Sequence, residues 1–332
     1  MSLARRLPPG LRRSARPLVR RARAAGRSLA AWMRPSVGWD RRHHPVFEKF
    51  PRWTGTADGH FLHDFLGVRT DPEFRIQFRP DPRGPLAPDY PHPGPVYFET
   101  VFVLEAVLAA AARSRSPFTV VELGAGYGPW LVFAHAAMQR IRPGPTRLVG
   151  VEMLEEHIAR MRRHFVNNGL DPDAHAIVQG AIGDRDGAAY YVPDPDPGEA
   201  YGHAVARREG HGAVEVPRIG MATLLEPLSH VDLMHVDVQG EEERILSAST
   251  RLLATRLARL LVATHDRGLH RRVRKLLVRD GWRCIADHGV RSRERTSFGT
   301  IVFLDGLLGF VNPALDAEGL GGTSQSSPGT FL

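Results

Sequence analysis

From residue 118 onward, short apolar segments alternate with segments of helical periodicity, and this alternation limits the fold more than any other feature. The apolar segments predict buried strands, and helices of this length between them predict a mostly parallel sheet with helices on both faces. We therefore expect an α/β fold. Strands are predicted at 118–123, 147–152, 174–179, 231–238, 257–264, 282–286 and 300–304, and helices at 97–113, 129–140, 154–167, 241–253 and 270–280.

Four regions follow from changes in composition along the 332 residues. Residues 1–42 are an arginine-rich arm that we expect to be poorly ordered. Residues 43–113 form an N-terminal extension or cap, with eight prolines in a loop at 70–95 and then a helix. Residues 114–306 are expected to be the catalytic domain and residues 307–332 a C-terminal tail.

The positive charge of the chain is concentrated in the arm. The net charge is +8, from 44 basic and 36 acidic residues, and ten arginines but no acidic residue lie within residues 1–35. The rest of the chain is therefore close to neutral. Because a nucleic-acid enzyme usually carries positive charge on its folded domain, this distribution disfavours a nucleic-acid partner. The arm suits weak contact with an anionic membrane surface.

Cysteine content and hydropathy indicate the compartment. Cys284 is the only cysteine, so neither an internal disulfide nor a cysteine zinc site is expected. The sequence contains no uninterrupted apolar run of the ~18 residues that a membrane helix needs. No apolar segment typical of a secretion signal follows the basic N-terminus. We expect a cytoplasmic location, with peripheral membrane contact through the arm at most.

The loop after the first predicted strand indicates a cofactor site. Ligands of open α/β sheets bind beyond the carboxyl ends of the strands, and glycines let the backbone approach them closely. A nicotinamide fingerprint requires Gly-x-Gly-x-x-Gly, whereas the third glycine here comes one residue early. Glu122 would repel a pyrophosphate but suits an ammonium, directly or through water. This pattern favours S-adenosylmethionine, held by Glu122, Gly124, Ala125, Gly126 and Gly128.

A second acid marks the expected ribose position. Glu152 ends the second strand, 24 residues after Gly128, which is close to the spacing of a ribose-binding acid. Its carboxylate is expected to accept hydrogen bonds from the ribose hydroxyls. Met153 is expected on one side of the adenine, and Ala181 and Ile182 on the other.

Asp237 and His265 end the fourth and fifth strands, at the same edge as the glycine loop. A hydroxyl nucleophile gains from a base, and a histidine with the ordinary pKa of about 6.5 is partly neutral near pH 7. His265 is therefore the expected base, with Asp237 as its rival or as an orienting group. Asp237 and Asp266 also offer oxygen ligands for Mg²⁺. A solvated carboxylate pair is commoner, so no metal is assigned.

Three segments together resemble the FkbM-type methyltransferase family. They are residues 122–128, residues 231–242 and the triplet at 264–266, and residues 64–69 and 97–99 resemble upstream motifs of one branch. The resemblance covers about residues 59–306. It implies the Rossmann-like class I methyltransferase fold with a seven-stranded sheet, and methyl transfer usually to an oxygen of a secondary metabolite, sugar or lipid.

The leading hypothesis is O-methylation of a hydroxyl on a small-molecule or glycan acceptor. The alternatives are a nucleic-acid methyltransferase tethered by the arm, a nicotinamide-dependent oxidoreductase, and a non-catalytic cofactor-binding protein. The loops at 70–95 and 184–217 are expected to shape the acceptor pocket, because loops commonly set specificity. Their side chains suited to a polyhydroxylated acceptor are Tyr90, His92, Tyr190, Tyr191, Tyr201 and His203.

Overall fold

The structure is a computed structural model that describes residues 43–113, 115–193, 201, 212–296 and 299–316. Residues 1–42, and with them the predictions for the arm, lie outside the described residues. The bounds of the strands in chain order are β1 Gly55–Ala57, β2 Leu62–His63, β3 Arg69–Thr70, β4 Gly84–Leu86, β5 Phe118–Leu123, β6 Thr146–Glu152, β7 Ala176–Gln179, β8 Ala181–Gly183, β9 Gly187–Tyr191, β10 Val214–Gly220, β11 Val231–Val236, β12 Leu257–Thr264, β13 Arg283–His288, β14 Ser292–Thr296, β15 Gly299–Phe303 and β16 Gly306–Val311.

Seven of these strands form the central sheet, in the order β13-β16-β12-β11-β5-β6-β7. Strand β16 is antiparallel to both of its neighbours, and the remaining strands run parallel to one another. The middle strands β5 and β11 are buried along their whole length, because helices cover both faces of the sheet. This is the seven-stranded arrangement of class I methyltransferases, so the predicted fold is confirmed.

Helices pack on the two faces of the central sheet. One face carries the first three, and the other carries the next four, which bury a second apolar cluster. An eighth short helix follows β16. The bounds are α1 Pro95–Arg113, α2 Pro129–Ile141, α3 Glu155–Asn167, α4 Met221–Leu225, α5 Glu242–Ala248, α6 Thr250–Arg256, α7 Arg267–Arg279 and α8 Pro313–Asp316.

Helix α1 is long and apolar enough to span a membrane by length and composition. More than half of its most apolar 18-residue stretch is buried, and the side chains of Phe102 and Leu104 are completely buried. The helix contacts α2 and several central strands. Its apolar character is therefore that of a core helix.

The extension before α1 contains little regular structure, as the prolines predict. Strands β1 and β4 pair with each other, as do β2 and β3, and each pair is antiparallel. Phe47, Phe65 and Tyr90 pack their rings together beside α1 and α2. Tyr90 thus belongs to the core of the extension and not to a pocket.

Two predicted segments differ from the structure. The single helix predicted at 241–253 is two helices, α5 and α6, which separate at Ser249. The segment predicted as the last strand, 300–304, lies in β15, which pairs only with β14 in a hairpin outside the central sheet. The seventh strand is instead β16, so the sheet continues past the predicted domain boundary at residue 306.

The insertion after β7 forms a smaller sheet of three strands in the order β8-β10-β9. Strand β10 is parallel to β8 and antiparallel to β9. The segment expected to be a loop at 184–217 therefore contains β9 and the first part of β10. His203 lies outside the described residues.

Candidate active site

The glycine loop joins β5 to α2 at the carboxyl edge of the central sheet. The backbone N–H groups of Gly124 and Ala125 both donate to the carbonyl oxygen of Val151 at 3.0 Å, which fixes the loop to β6. Gly124 and Gly126 have φ values of +72° and +53° and line a cleft beyond the sheet. Ala125 is buried in the core beneath the loop, and Gly128 caps the start of α2.

Glu152 lies in the wall of the same cleft and supports the loop. Its Oε2 accepts a hydrogen bond from the N–H of Gly126 and its Oε1 one from the N–H of Leu154, each at 2.9 Å. Burial by itself raises the pKa of Glu152, but these bonds and nearby His157 lower it overall. An ionised carboxylate therefore stands where the ribose was predicted.

The cleft has an apolar side, which contains the residues that are predicted to enclose the adenine. Met153, Ala181 and Ile182 line it, together with the ring of Tyr201 and that of His157. These two rings are stacked, with centroids 4.3 Å apart and an interplanar angle of 11°. Nε2 of His157 is buried and has no hydrogen-bond partner among the described residues.

Glu122 is not one of the described residues that line the cleft. Its side chain is buried on the α2 side of the sheet, where Oε2 accepts from the N–H of Leu131 at 3.1 Å. Burial raises its pKa well above the ordinary value. Its proposed contact with an ammonium, directly or through water, stays a prediction.

Asp237 and His265 are brought together at the carboxyl ends of β11 and β12. Nε2 of His265 lies 2.9 Å from Oδ1 of Asp237, and Nδ1 lies 3.1 Å from Oδ1 of Asp305. Burial lowers the pKa of His265, but the two carboxylates outweigh burial and raise it to about 10. The expectation of a partly neutral imidazole near pH 7 is therefore wrong: His265 is held as a cation that donates to both carboxylates.

The sequence offers Asp237 and Asp266 as oxygen ligands for Mg²⁺, but no metal is assigned to them. Asp266 caps α7 instead, where its Oδ1 accepts from the N–H groups of Gly268 and Leu269. The ligand atoms of Asp237, Glu242 and His265 do lie within 4.8 Å of one another. The carboxylate of Glu242, however, accepts hydrogen bonds from the backbone N–H groups of Val238 and Gly240.

A second cavity of about 530 Å³ opens beside the cleft. Its walls come from the N-terminus of α1, from the ends of β12 and β16, and from the β15 strand of the hairpin. Among the described residues, Asp237 alone lines both the cleft and this cavity. The cavity is mostly apolar; its charged side chains are those of Glu99, Asp237, His265 and Asp305.

Sequence reasoning missed Glu99, Asp305 and the hairpin as parts of this cavity. Glu99 interrupts an apolar helix, which is a signal of a special environment, but only the packing of α1 over β11 and β12 shows where it points. Of the loop at 70–95, only residues 93–95 reach the cavity. Of the loop at 184–217, Tyr201 lines the cleft, and Tyr190 bonds to Glu215 at the surface.

Known proteins resemble this chain. It is 25% identical over 276 residues to a protein of Jannaschia sp. (strain CCS1) that is named only as a methyltransferase, covering 80% of this chain and 98% of the relative. An O-methyltransferase from Bacillus cereus in complex with SAH (S-adenosylhomocysteine) has a TM-score of 0.38 and 12% identity, over 66% of this chain and 82% of that one. Fibrillarin from Aeropyrum pernix with bound S-adenosyl-L-methionine has a TM-score of 0.32 and 14% identity, over 61% and 73%.

The family model of the methyltransferase FkbM domain matches residues 122–288, which is half of the chain. This range contains the glycine loop, Glu152, Asp237 and His265. The chain therefore belongs to the FkbM methyltransferase family.

Proposed function

We propose that this methyltransferase transfers a methyl group from S-adenosylmethionine to a hydroxyl oxygen of a small-molecule acceptor. The observation that carries the proposal is the position of Asp237, which lines both the cleft beside the glycine loop and the adjoining cavity. Methyl transfer requires the acceptor atom to lie next to the methyl group of the donor and in line with the bond that breaks. The cleft and the cavity adjoin each other at the carboxylate of Asp237, so a donor in one and an acceptor in the other would meet there.

The residues of the cleft fit S-adenosylmethionine. The backbone at Gly124 and Gly126 would hold the methionine part, and the ionised Glu152 would accept from the ribose hydroxyls. Met153, Ala181 and Ile182 would enclose the adenine, while the unpartnered Nε2 of His157 offers a polar contact. When bound, this cofactor supplies an electrophilic methyl group on a sulfonium.

The neighbouring cavity supports a small acceptor with a substantial apolar part. Its volume of about 530 Å³ is within the range of small-molecule sites. Ile301, Phe303 and Leu307 provide apolar wall, while the charged groups belong to one interacting cluster. A small metabolite that presents a hydroxyl to this cluster fits better than a long glycan or a nucleic-acid strand.

Within that cluster, Asp237 and His265 are suited to positioning the acceptor. Oδ1 of Asp237 is held by His265 and also by Nε2 of Gln239, at 2.9 Å each. Its second carboxylate oxygen is thereby fixed in orientation and can accept a hydrogen bond from the acceptor hydroxyl. The imidazolium of His265 holds the carboxylate of Asp237 next to the reacting atoms.

Titration calorimetry with S-adenosylmethionine, SAH and NAD tests the cofactor. We expect both S-adenosylmethionine and SAH to bind and NAD not to bind; NAD binding alone would overturn the proposal.

Turnover with ¹³C-methyl S-adenosylmethionine tests whether oxygen is the methylated atom. The acceptors share one apolar body but carry a hydroxyl, an amine or a thiol. NMR of the product distinguishes the three, and methylation of the amine or thiol in preference to the hydroxyl would contradict O-methylation.

The nucleic-acid alternative depends on residues 1–42, outside the described part of the chain. It requires strongly salt-dependent RNA binding that disappears on deletion of those residues. Because the family match makes the chain a methyltransferase, the nicotinamide alternative is not retained.

A further inference from the structure

Glu99 is the carboxyl group of the acceptor cavity that lacks a cationic partner at hydrogen-bonding distance. Asp237 and Asp305 each accept a hydrogen bond from His265, whereas the described residues offer Glu99 no hydrogen bond. Its side chain is only 21% exposed and lies on the first turns of α1. A carboxylate held by a cation is a weaker base than an unpaired one, so the three carboxyl groups are chemically distinct.

Behind Glu99 lies a second, fully buried set of polar groups. Nε2 of His235 is 3.9 Å from Oε2 of Glu99, and its Nδ1 is 3.9 Å from Oε1 of Glu122. Both ring nitrogens of His235 are buried and have no hydrogen-bond partner among the described residues. Burying an imidazole without hydrogen bonds costs free energy. A shift of about 1 Å would bring a ring nitrogen of His235 within hydrogen-bonding distance of a carboxyl oxygen.

We propose that Glu99 is a catalytic residue that takes the proton of the acceptor hydroxyl, and that His235 is the positioning residue behind it. The inference rests on the proposed methyl transfer to oxygen. The acceptor's O–H bond breaks and its proton goes to a carboxylate oxygen of Glu99. The electron pair left on the acceptor oxygen forms the bond to the methyl carbon, whose bond to sulfur breaks with that pair remaining on sulfur.

The electrostatics of the cavity agree with this role. Burial, and then the carboxylates of Asp237 and Asp305, raise the pKa of Glu99 to about 8, so its ionised form, which is populated as the pH approaches 8, is a stronger base than an ordinary glutamate. The groups that face it are Asp237, Asp305 and the imidazolium of His265 in the cavity, with His235 and then Glu122 behind. A bound cation beside the cavity would favour the ionised form of Glu99.

Sinefungin tests this without knowledge of the acceptor. It is an S-adenosylmethionine analogue with an amine-bearing carbon in place of the methyl sulfonium, so its ammonium points to where the methyl would be. SAH lacks that charge. We expect the ratio of the dissociation constants of SAH and sinefungin, measured by calorimetry, to rise by at least about fivefold between pH 6 and pH 8 as Glu99 ionises.

In Glu99→Gln we expect this ratio to be independent of pH and, at pH 8, about tenfold lower than in the wild type. Glu105→Gln is the matched control, because Glu105 lies on the same helix but lines neither the cleft nor the cavity. In this variant the ratio of the two dissociation constants should rise with pH as in the wild type. If Glu99→Gln does not fold, Glu99→Asp should keep the rise with a shifted midpoint. His235→Phe should also move the midpoint while SAH affinity stays within about twofold.

The outcomes separate the two proposals. If neither ligand binds the wild type, the proposed function fails. If SAH binds normally but the ratio in Glu99→Gln still rises with pH as in the wild type, the role of Glu99 is overturned while the proposed function stands. An unchanged midpoint in His235→Phe removes His235 from the inference.

Discussion

A Cβ atom placed on Gly124 would lie 1.9 Å from the backbone carbonyl oxygen of Asp237. Next to it, the N–H of Asp237 donates to the carbonyl oxygen of Leu123 at 2.9 Å. The end of β5 and the end of β11 therefore touch backbone to backbone. This contact holds the glycine loop beside Asp237, which lines both the cleft and the cavity. Only glycine fits at the point of contact.

Gly124→Ala is expected to displace the loop or Asp237. The new methyl group meets backbone atoms that cannot rotate away, and φ of +72° is itself unfavourable for alanine. We expect SAH binding at least about tenfold weaker by calorimetry. Gly144→Ala is the control, because no heavy atom lies within 4 Å of its added Cβ and its φ is not in the strained region. Equal SAH affinity in the two variants would contradict the role of this contact.

Glu152→Ala is expected to weaken SAH binding by about 1.5–3 kcal/mol, the scale of lost hydrogen bonds to a charged group. Adenosine, which lacks the methionine part, identifies the mechanism. If Glu152 binds the ribose, adenosine and SAH lose affinity equally, whereas loss for SAH alone means that Glu152 acts through the loop at Gly126. Glu155→Ala, at an exposed position on α3, should change neither. Unchanged affinity for both ligands removes Glu152 from the site.

Local patterns were sufficient for the core of the fold. The strands β5 and β12 match their predicted bounds because each is a mostly apolar run that stops at a glycine or polar residue. The strand β15 was misplaced because 299–303 and 306–311 are both apolar, and only pairing with β12 and β13 decides which enters the sheet. The residues of the cofactor cleft lie in short motifs at the ends of successive strands, and each motif can be recognised by itself in the sequence. The acceptor cavity needs α1, β12 and the hairpin together, which no local pattern shows.

The stability that His265 contributes is expected to depend on pH. A folded-state pKa of about 10, raised above the unfolded value of about 6.5, stabilises the fold fully below about pH 6.5. This stabilisation is lost as the pH rises to about 10. The excess in melting temperature of the wild type over His265→Gln should therefore shrink across that interval. His60→Gln, at an exposed position, controls for the substitution. A difference that grows with pH would show that His265 is not held as a cation.

Added divalent cations are expected to leave the protein unchanged. A metal at Asp237, Glu242 and His265 would have to displace the N–H groups that Glu242 binds and the proton of His265. We expect neither Mg²⁺ nor Mn²⁺ at millimolar concentration to raise the melting temperature, and EDTA to leave SAH affinity unchanged. A saturable rise with either ion, absent in Glu242→Gln, would instead establish a metal site there.

At the opposite edge of the sheet, buried ion pairs join α8 to the core. Asp316 accepts from Arg113 at 2.7 Å and from Arg259 at 3.0 Å, and Arg113 also reaches Asp232 at 3.2 Å. The side chains of Arg113, Asp232 and Asp316 are each at most 2% exposed. Removing one member of such a set leaves a buried charge without its partner.

Asp316→Ala should therefore lower the free energy of unfolding by about 3–5 kcal/mol in urea denaturation. Asp89→Ala removes the partner of Arg52 at a carboxylate that is 82% exposed, and should change it by less than about 1 kcal/mol. Because this network lies at the amino ends of the strands, SAH affinity at a temperature where both variants are folded should match the wild type. If Asp316→Ala is no less stable than Asp89→Ala, helix α8 is not held by these pairs.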